Sequence, residues 1–298
     1  MRVSPEVAEA LLRGAAVVAL ESTIIAHGLP RPRNLEVARA LEAEVREAGA
    51  VPATIAILDG EPRLGLDEDG LQRIATSDVA KLSLRDVPLA AARGLDGATT
   101  VASTAHIAAR AGIRVFATGG LGGVHREARD SWDESADLPT LSRTPITVVA
   151  AGVKSILDVG ATLERLETLG IAVAGWRTNR FPGFYLTDGG FDLDWRVDDP
   201  EEVAAAMAQA DALGVDAALV IANPIDPAAQ LDPAEHERVL ADGLERARAG
   251  GVTGKAVTPF LLDHLHRETA GRSLEVNVAI ARGNAAVAGA IAAAWAAR

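Results

Sequence analysis

The 298-residue sequence predicts a three-layer α/β/α protein with a mixed, largely parallel central sheet. Two observations carry that expectation. Apolar, β-rich runs alternate with Ala/Leu helical patterns along the chain, the arrangement that puts helices on both faces of a parallel sheet. An Asp59-Gly60 pair between two extended runs marks a hairpin, which adds antiparallel pairing. No Pro/Ser linker and no repeat interrupts the alternation, so one continuous domain over residues 1–298 is expected.

Taken in order, Ala15–Leu20 reads as a buried strand. Asn34 is positioned to cap a helix from Leu35 to about Ala48, with Glu36 in the acid-favouring first turn. Ala53–Leu58 is a strand, turned by Asp59-Gly60 toward Arg63–Leu66. Asp86 opens a short helix that ends at Gly94. Ala98–Ala111 reads as a helix closed by Gly112. Ile113–Thr118 is a strand entering a glycine loop, and Ile146–Ala151 is another. Lys154–Leu169 reads as a helix stopped by Gly170. Ile171–Ala174 and Ala217–Ile221 continue the strands, and Ser273 is placed to cap a C-terminal helix running nearly to Arg298.

Composition narrows the function. The chain is 49% hydrophobic and 23% charged, a globular balance. With only 3% aromatic residues, its core must be built from Ala, Val, Leu and Ile. There are 29 Lys plus Arg against 41 Asp plus Glu, a net charge of −12, and no basic run. That excludes a general nucleic-acid surface, which needs clustered cations to neutralise phosphates. With no Cys, disulfides, thiolate catalysis and Cys-ligated metal are excluded. Glu6 and Glu9 precede the first apolar run, unlike a secretory signal. The longest uncharged stretch, Gly283–Ala297, is short for a bilayer. A soluble, cytoplasmic protein with no membrane partner is expected.

Open α/β sheets bind ligands at the carboxyl ends of their strands, and four such ends are polar. Glu21-Ser22-Thr23 follows Val17–Leu20. A carboxylate there must be partnered, or burial raises its pKa; it is either an ion pair or cap, or an acid/base group. Thr118–Val124 followed by His125 contains four glycines, which let backbone amides approach an anion or simply make a loop. Asp133–Asp137 is an acidic patch, either solvated or able to hold a hard divalent ion that keeps several waters. Ala150–Lys154 places a lysine at the mouth of the sheet. Lysine is scarce, present only at positions 81, 154 and 255. Unlike Arg, it can lose its proton and act as an amine nucleophile, and a second cation nearby favours the neutral form. Lys255 reads as ordinary surface.

Ten ordered segments carry a resemblance over nearly the whole chain: ALESTIIAHGLPRPRNLEVA, GAVPATIAILDGEPRLGL, KLSLRD, GATTVAST, FATGGLGGVHR, SWDESADL, VVAAGVKSILD, VIANPI, VTPFLL and SLEVNVAI. Together they resemble the pseudouridine-5′-phosphate glycosidase family, also called indigoidine synthase A-like. The resemblance implies reversible cleavage of the C–C glycosidic bond of pseudouridine 5′-phosphate to uracil and ribose 5-phosphate. The synthetic direction loses water, a hydro-lyase-type reaction. It also implies a homotrimer with one manganese-type ion per subunit. Carried over by motif, Lys154 is the Schiff-base nucleophile, Glu21 the acid/base and Asp133 the metal ligand. Lys81, Val101, Ser135, Ala136, Asp137 and Asn277 line the substrate site, and Thr100, Thr118 and His125 hold the phosphate.

The chemistry fits these residue types. A C-glycoside has no heteroatom leaving group, so the two-carboxylate route of O-glycosidases cannot release the base. An iminium between a lysine and C1 of the opened ribose supplies an electron sink, and the remote phosphate supplies binding energy. Two alternatives share the same residues: a Schiff-base, aldolase-like lyase acting on another sugar phosphate, and a non-catalytic nucleotide-binding regulator.

Overall fold

The structure is a computed structural model that describes residues 1–253 and 256–298; Lys255 lies outside the described residues. Its strands are β1 (Arg2–Val3), β2 (Val17–Leu20), β3 (Val51–Leu58), β4 (Glu61–Leu64), β5 (Ala80–Leu82), β6 (Gly97–Thr99), β7 (Val115–Ala117), β8 (Thr147–Ala150), β9 (Ala172–Trp176), β10 (Arg180–Phe181), β11 (Phe191–Asp192), β12 (Arg196–Val197) and β13 (Leu219–Ala222). Eleven of them form one sheet in the order β1-β4-β3-β2-β7-β8-β13-β9-β12, with β6 also on β3 and β5 on β6; β10 and β11 pair separately. Within this sheet β3 runs antiparallel to β4 and β6. The pairs β2–β3, β2–β7, β7–β8, β8–β13 and β13–β9 are parallel. The fold is therefore the mixed, largely parallel α/β sheet expected. Asp59 (φ 53°) and Gly60 (φ 74°) adopt the left-handed turn that the hairpin requires.

Three layers follow from strand alternation. Ala19, Phe116, Val148 and Val220 face a core shared with the helix Val101–Arg110. Their neighbours Val18, Val115, Val149 and Ile221 face the opposite core, shared with the helices Arg33–Glu47, Pro200–Leu213 and Arg272–Ala296. Small side chains set the spacing of that second layer. A Cβ on Gly289 would meet the Ala48 methyl at 2.5 Å, so the last helix lies directly against the end of the Arg33–Glu47 helix. Arg272–Ala296 is long and apolar enough to cross a bilayer, but half of its apolar window is buried. Its length serves the core layer.

Several expected boundaries move. Asn34 is not a cap. It sits inside the helix Arg33–Glu47, where its Nδ2 donates to the carbonyls of Ile25 (2.9 Å) and Ala75 (2.8 Å). Ala98 and Thr99 belong to β6, and the helix begins at Val101. Gly271, not Ser273, precedes the C-terminal helix; Ser273 is buried in its first turn. Asp86 stands before the helix Val87–Ala92 without capping it, and accepts from the Ser83 amide instead (3.1 Å). Most consequentially, Lys154 is not helical. The helix runs Val159–Thr168, capped by Asp158, whose side chain accepts from the Ala161 amide. Lys154 lies in the loop between β8 and that helix.

Candidate active site

The carboxyl ends of β2, β6, β7 and β8 open into a cavity of about 570 Å³. Glu21, Lys81, Thr100, Val101, His125, Asp133, Ser135, Ala136, Asp137, Lys154 and Asn277 all line it. The structure thus brings together every expected site residue except Thr118.

Glu21 is held by what surrounds the end of β2. The Ser22 hydroxyl donates to the Ile55 carbonyl (2.7 Å) and accepts from the Thr99 amide (2.9 Å), and the Thr23 hydroxyl donates to the Thr99 carbonyl (2.6 Å). These bonds tie β2 to β3 and β6, so the residue between strand and helix cannot drift. Burial pushes the Glu21 carboxyl above the ordinary carboxylate range; the Lys154 charge, the Thr118 hydroxyl and Lys81 oppose the rise, and Asp137 adds to it. A carboxyl raised in that way is suited to taking up and returning a proton.

Thr118, expected to hold phosphate, stands against Glu21 and does not line the cavity. It is buried, and its hydroxyl donates to Glu21 Oε1. Thr118 therefore steadies the carboxylate from behind, and its own carbonyl accepts from Asn284 Nδ2 (2.7 Å) on the C-terminal helix.

The glycine loop also carries structural bonds. It continues the β7–β8 pairing: the Leu121 amide donates to Gly152 (2.9 Å), and the Lys154 amide donates to Leu121 (3.1 Å). The Gly122 amide goes to Asp137 Oδ2 (2.9 Å) and the Val124 amide to Thr162 Oγ1 (2.9 Å). The missing side chains also serve close packing. A Cβ on Gly120 would stand 2.6 Å from the Phe184 ring. The bare peptide at Gly120 then accepts from Lys154 Nζ at 2.9 Å.

Asp137 lines the cavity with both oxygens engaged, one on the Gly122 amide and the other on the Ala102 amide (2.9 Å). It fastens the N-terminus of the helix Val101–Arg110 to the glycine loop. Thr100 precedes that helix without capping it through its side chain, which leaves the helix end, Lys81 and Arg85 around one part of the cavity. Helix N-termini and lysines suit a phosphate.

Asp133 and His125 face each other, Asp133 Oδ2 lying 3.8 Å from His125 Nδ1. Glu134 next to them is taken by Arg165 (2.8 Å). Among the described residues, no group of three or more metal-type side chains is assembled. One carboxylate fits a hard divalent ion that keeps most of its waters, and does not fit a closed protein cage.

Sequence reasoning missed several lining residues. His27, Ser83, Arg85, Thr258, Pro259 and Leu262 stand inside the segments that carried the resemblance. Phe184 stands in none of them, and its only sequence signal is an aromatic cluster in an aromatic-poor chain.

A doubly covered, largely parallel sheet with a lysine and a glutamate in the cavity at its carboxyl edge defines an α/β protein of the class that binds its ligand at strand ends. Residues 6–294 match the family described as Indigoidine synthase A like protein, and the chain belongs to that family. It is 65% identical over 297 residues to a protein of Frankia alni named pseudouridine-5′-phosphate glycosidase, covering 99% of this chain and 82% of that one. It is also 65% identical to the protein of that name from Salinispora tropica, covering 100% and 93%. Among solved structures, the prealnumycin C-glycosynthase AlnA in complex with ribulose 5-phosphate superposes with a TM-score of 0.92 at 39% identity, over 99% of this chain and 97% of that one. An indigoidine synthase A-like protein from Thermotoga maritima superposes with a TM-score of 0.87 at 38% identity, over 94% and 93%.

Proposed function

We propose that this protein reversibly cleaves the C–C glycosidic bond of pseudouridine 5′-phosphate, releasing uracil and ribose 5-phosphate. The observation that carries the reading is one cavity lined by both the Lys154 amine and the Glu21 carboxyl, close enough for the Lys154 charge to act on that carboxyl. The names of the relatives support the substrate.

The amine of Lys154 attacks C1 of the ribose as the C1–O4 bond opens, and the ring oxygen leaves with a proton as a hydroxyl. The electron pair of the C1–uracil bond then passes to the uracil carbon, which takes a proton. The nitrogen lone pair forms the iminium at C1 as that bond breaks. Water adds to the iminium, returning the free amine and ribose 5-phosphate. Overall, pseudouridine 5′-phosphate and one water give uracil and ribose 5-phosphate. Glu21 carries protons between uracil carbon, sugar oxygen and water. Lys81, Thr100 and the first turn at Val101 receive the phosphate, with His125 beside them. Ser135, Ala136, Asp137 and Asn277 shape the remaining wall.

A manganese-type ion belongs to this reading, held by Asp133 with His125 nearby; when bound it supplies an ordered water shell and local positive charge. A homotrimer and a cytoplasmic location belong to it too, and light scattering of the purified protein checks the first.

Uracil and ribose 5-phosphate, mixed with the enzyme with and without manganese, should yield a C-nucleoside 5′-phosphate with the summed mass less one water. A protein that forms a borohydride-stable adduct with ribose 5-phosphate but never joins it to uracil is an aldolase-like lyase, and one that binds without turnover is a regulator. Either result overturns the proposal.

A further inference from the structure

Asn284 sets a carboxamide into the apolar face of the C-terminal helix Arg272–Ala296. Ala281, Ala285 and Ala288 around it pack in the core layer against the sheet, and Asn284 itself is fully buried. A polar group in that layer costs stability unless each of its atoms finds a partner. Each does. Its Nδ2 donates to the carbonyls of Thr118 (2.7 Å) and Gly119 (3.2 Å), and its Oδ1 accepts from Asn223 Nδ2 (2.9 Å). The amide cannot be reversed, because its oxygen would then face two carbonyl oxygens. Asn223 follows β13, and its backbone amide donates to the Ala150 carbonyl at the end of β8 (2.8 Å). The two asparagines therefore run from the end of β13 to the end of β7.

The backbone they hold serves both reacting groups. Thr118 sends its hydroxyl to Glu21. One residue beyond Gly119, the Gly120 carbonyl takes Lys154 Nζ at 2.9 Å. Gly119 and Gly120 have no side chains by which to be fixed, and glycine backbone has the most conformational freedom to lose. The chain needs an anchor from outside the loop here, and Asn284 grips it at the two carbonyls before Gly120. The Gly119 carbonyl also accepts from the Ala151 amide (3.0 Å), so β7, β8 and the last helix meet at one atom. Asn284 is not among the residues that line the cavity, so whatever it does for the reaction it does through this backbone.

We infer that Asn284, oriented by Asn223, is a positioning residue that fixes the Thr118–Gly120 backbone and so sets Glu21 and Lys154 for the reaction. The inference rests on the pseudouridine 5′-phosphate reading above. Its test is the rate and the end point of borohydride trapping of Lys154 by saturating ribose 5-phosphate, run beside condensation kinetics with uracil. Asn284→Leu keeps the branching and removes both donors and the acceptor. Its trapping rate and condensation kcat should fall about tenfold, part of the roughly hundredfold that a misplacement of about 1 Å costs. Both KM values and the final extent of trapping should stay those of the parent. The limb of the pH–rate profile governed by Glu21 should move to higher pH, as in Thr118→Val and without adding to it in the double variant. Asn223→Leu takes away only the partner of Asn284 Oδ1. It should change the same quantities less, and it decides the question if Asn284→Leu does not fold. A lower end point reached at the parent rate overturns the inference, since the asparagines then serve folding alone. Unchanged rates in folded variants overturn it as well. A parent that traps but never condenses counts against the function, and the trapping rates still decide the role of Asn284. A parent that does neither overturns both.

Discussion

Lys154 Nζ donates to the carbonyl oxygen of Gly120 at 2.9 Å, so the one lysine at the carboxyl end of β8 is aimed by a backbone atom that no side-chain substitution can remove. A single acceptor orients the amine and leaves it other directions in which to attack. Lys154→Arg keeps a cation and a donor at that place but cannot form an imine. Both Lys154→Arg and Lys154→Ala should lose about a thousandfold or more in turnover. Borohydride with ribose 5-phosphate should add one sugar mass to the parent and none to either variant. Substantial activity in the arginine variant would exclude the covalent route.

Glu21 and Thr118 form the second pair. The hydroxyl bond favours the charged carboxylate and lowers its pKa against the larger effect of burial. Thr118→Val is close to isosteric and removes only that bond. The Glu21 pKa then rises further, so the limb of the pH–rate profile governed by its ionisation should move to higher pH. If Thr118 bound phosphate instead, the variant would raise the KM for ribose 5-phosphate and leave that limb where it was.

The same raised pKa makes Glu21 a liability for stability. Below the ordinary value of 4.5 the group is protonated in both folded and unfolded chains and costs nothing. As pH climbs from there through the raised folded value, the unfolded chain ionises more readily, and the native state loses stability. Glu21→Gln removes the titration. It should raise Tm at pH 8 by a few degrees, on the order of 1 kcal/mol, with the difference vanishing near pH 4, while abolishing turnover. An equal Tm gain at both pH values would trace the effect to packing instead.

What the sequence displays and what it hides divide along physical lines. The strands β2, β7, β8 and β13 are legible because buried parallel strands are continuous apolar runs, and Asp59-Gly60 announces its turn. The site residues are legible as strand ends, and as members of segments resembling one family. Partners are not. Nothing local says that the Thr118 hydroxyl turns to Glu21, 97 positions away, or that Asp137 reaches the amides of Gly122 and Ala102. The helix expected from Lys154 fails for the same reason. Its residues tolerate a helix, but pairing of Val153 with Leu121 and Gly152 at φ +76° hold the segment open. Asp158, the cap that starts the real helix, was the signal passed over. The glycines at 119, 120, 122 and 123 look like a phosphate loop because close approach is all that glycine reports; the side chains that approach them include Phe184, Ser135 and Thr162.

Asp133 separates the metal from the covalent chemistry. If it anchors a divalent ion, a chelator should lower turnover of the parent protein and added manganese should restore it. In Asp133→Asn the rate should already be low, and neither treatment should change it much. Trapping of Lys154 by ribose 5-phosphate should survive in the variant, because the amine does not depend on that carboxylate. A chelator-sensitive Asp133→Asn protein would place the ion elsewhere.

His236 gives the fold an acid limit next to the reactive loop. It is buried, its Nε2 lies 3.0 Å from the Ser155 hydroxyl, and Ser155 follows Lys154 directly. Arg126 adds to the same loop, donating to the carbonyls of Ser155 (3.1 Å) and Ile156 (3.2 Å). Burial first, and the Arg126 charge second, hold the imidazole below its ordinary pKa of 6.5. A histidine whose folded pKa is depressed binds its proton more readily when unfolded. Its neutral form therefore supports the native state above pH 6.5, and that support drains away as pH falls through 6.5 toward the folded value. His236→Gln keeps a hydrogen-bonding group for Ser155 and cannot titrate. The parent should lose stability between pH 7 and pH 5 more steeply than this variant, by about 1 kcal/mol, read from urea midpoints at each pH. Parallel losses in the two proteins would assign the acid sensitivity to the carboxylates instead.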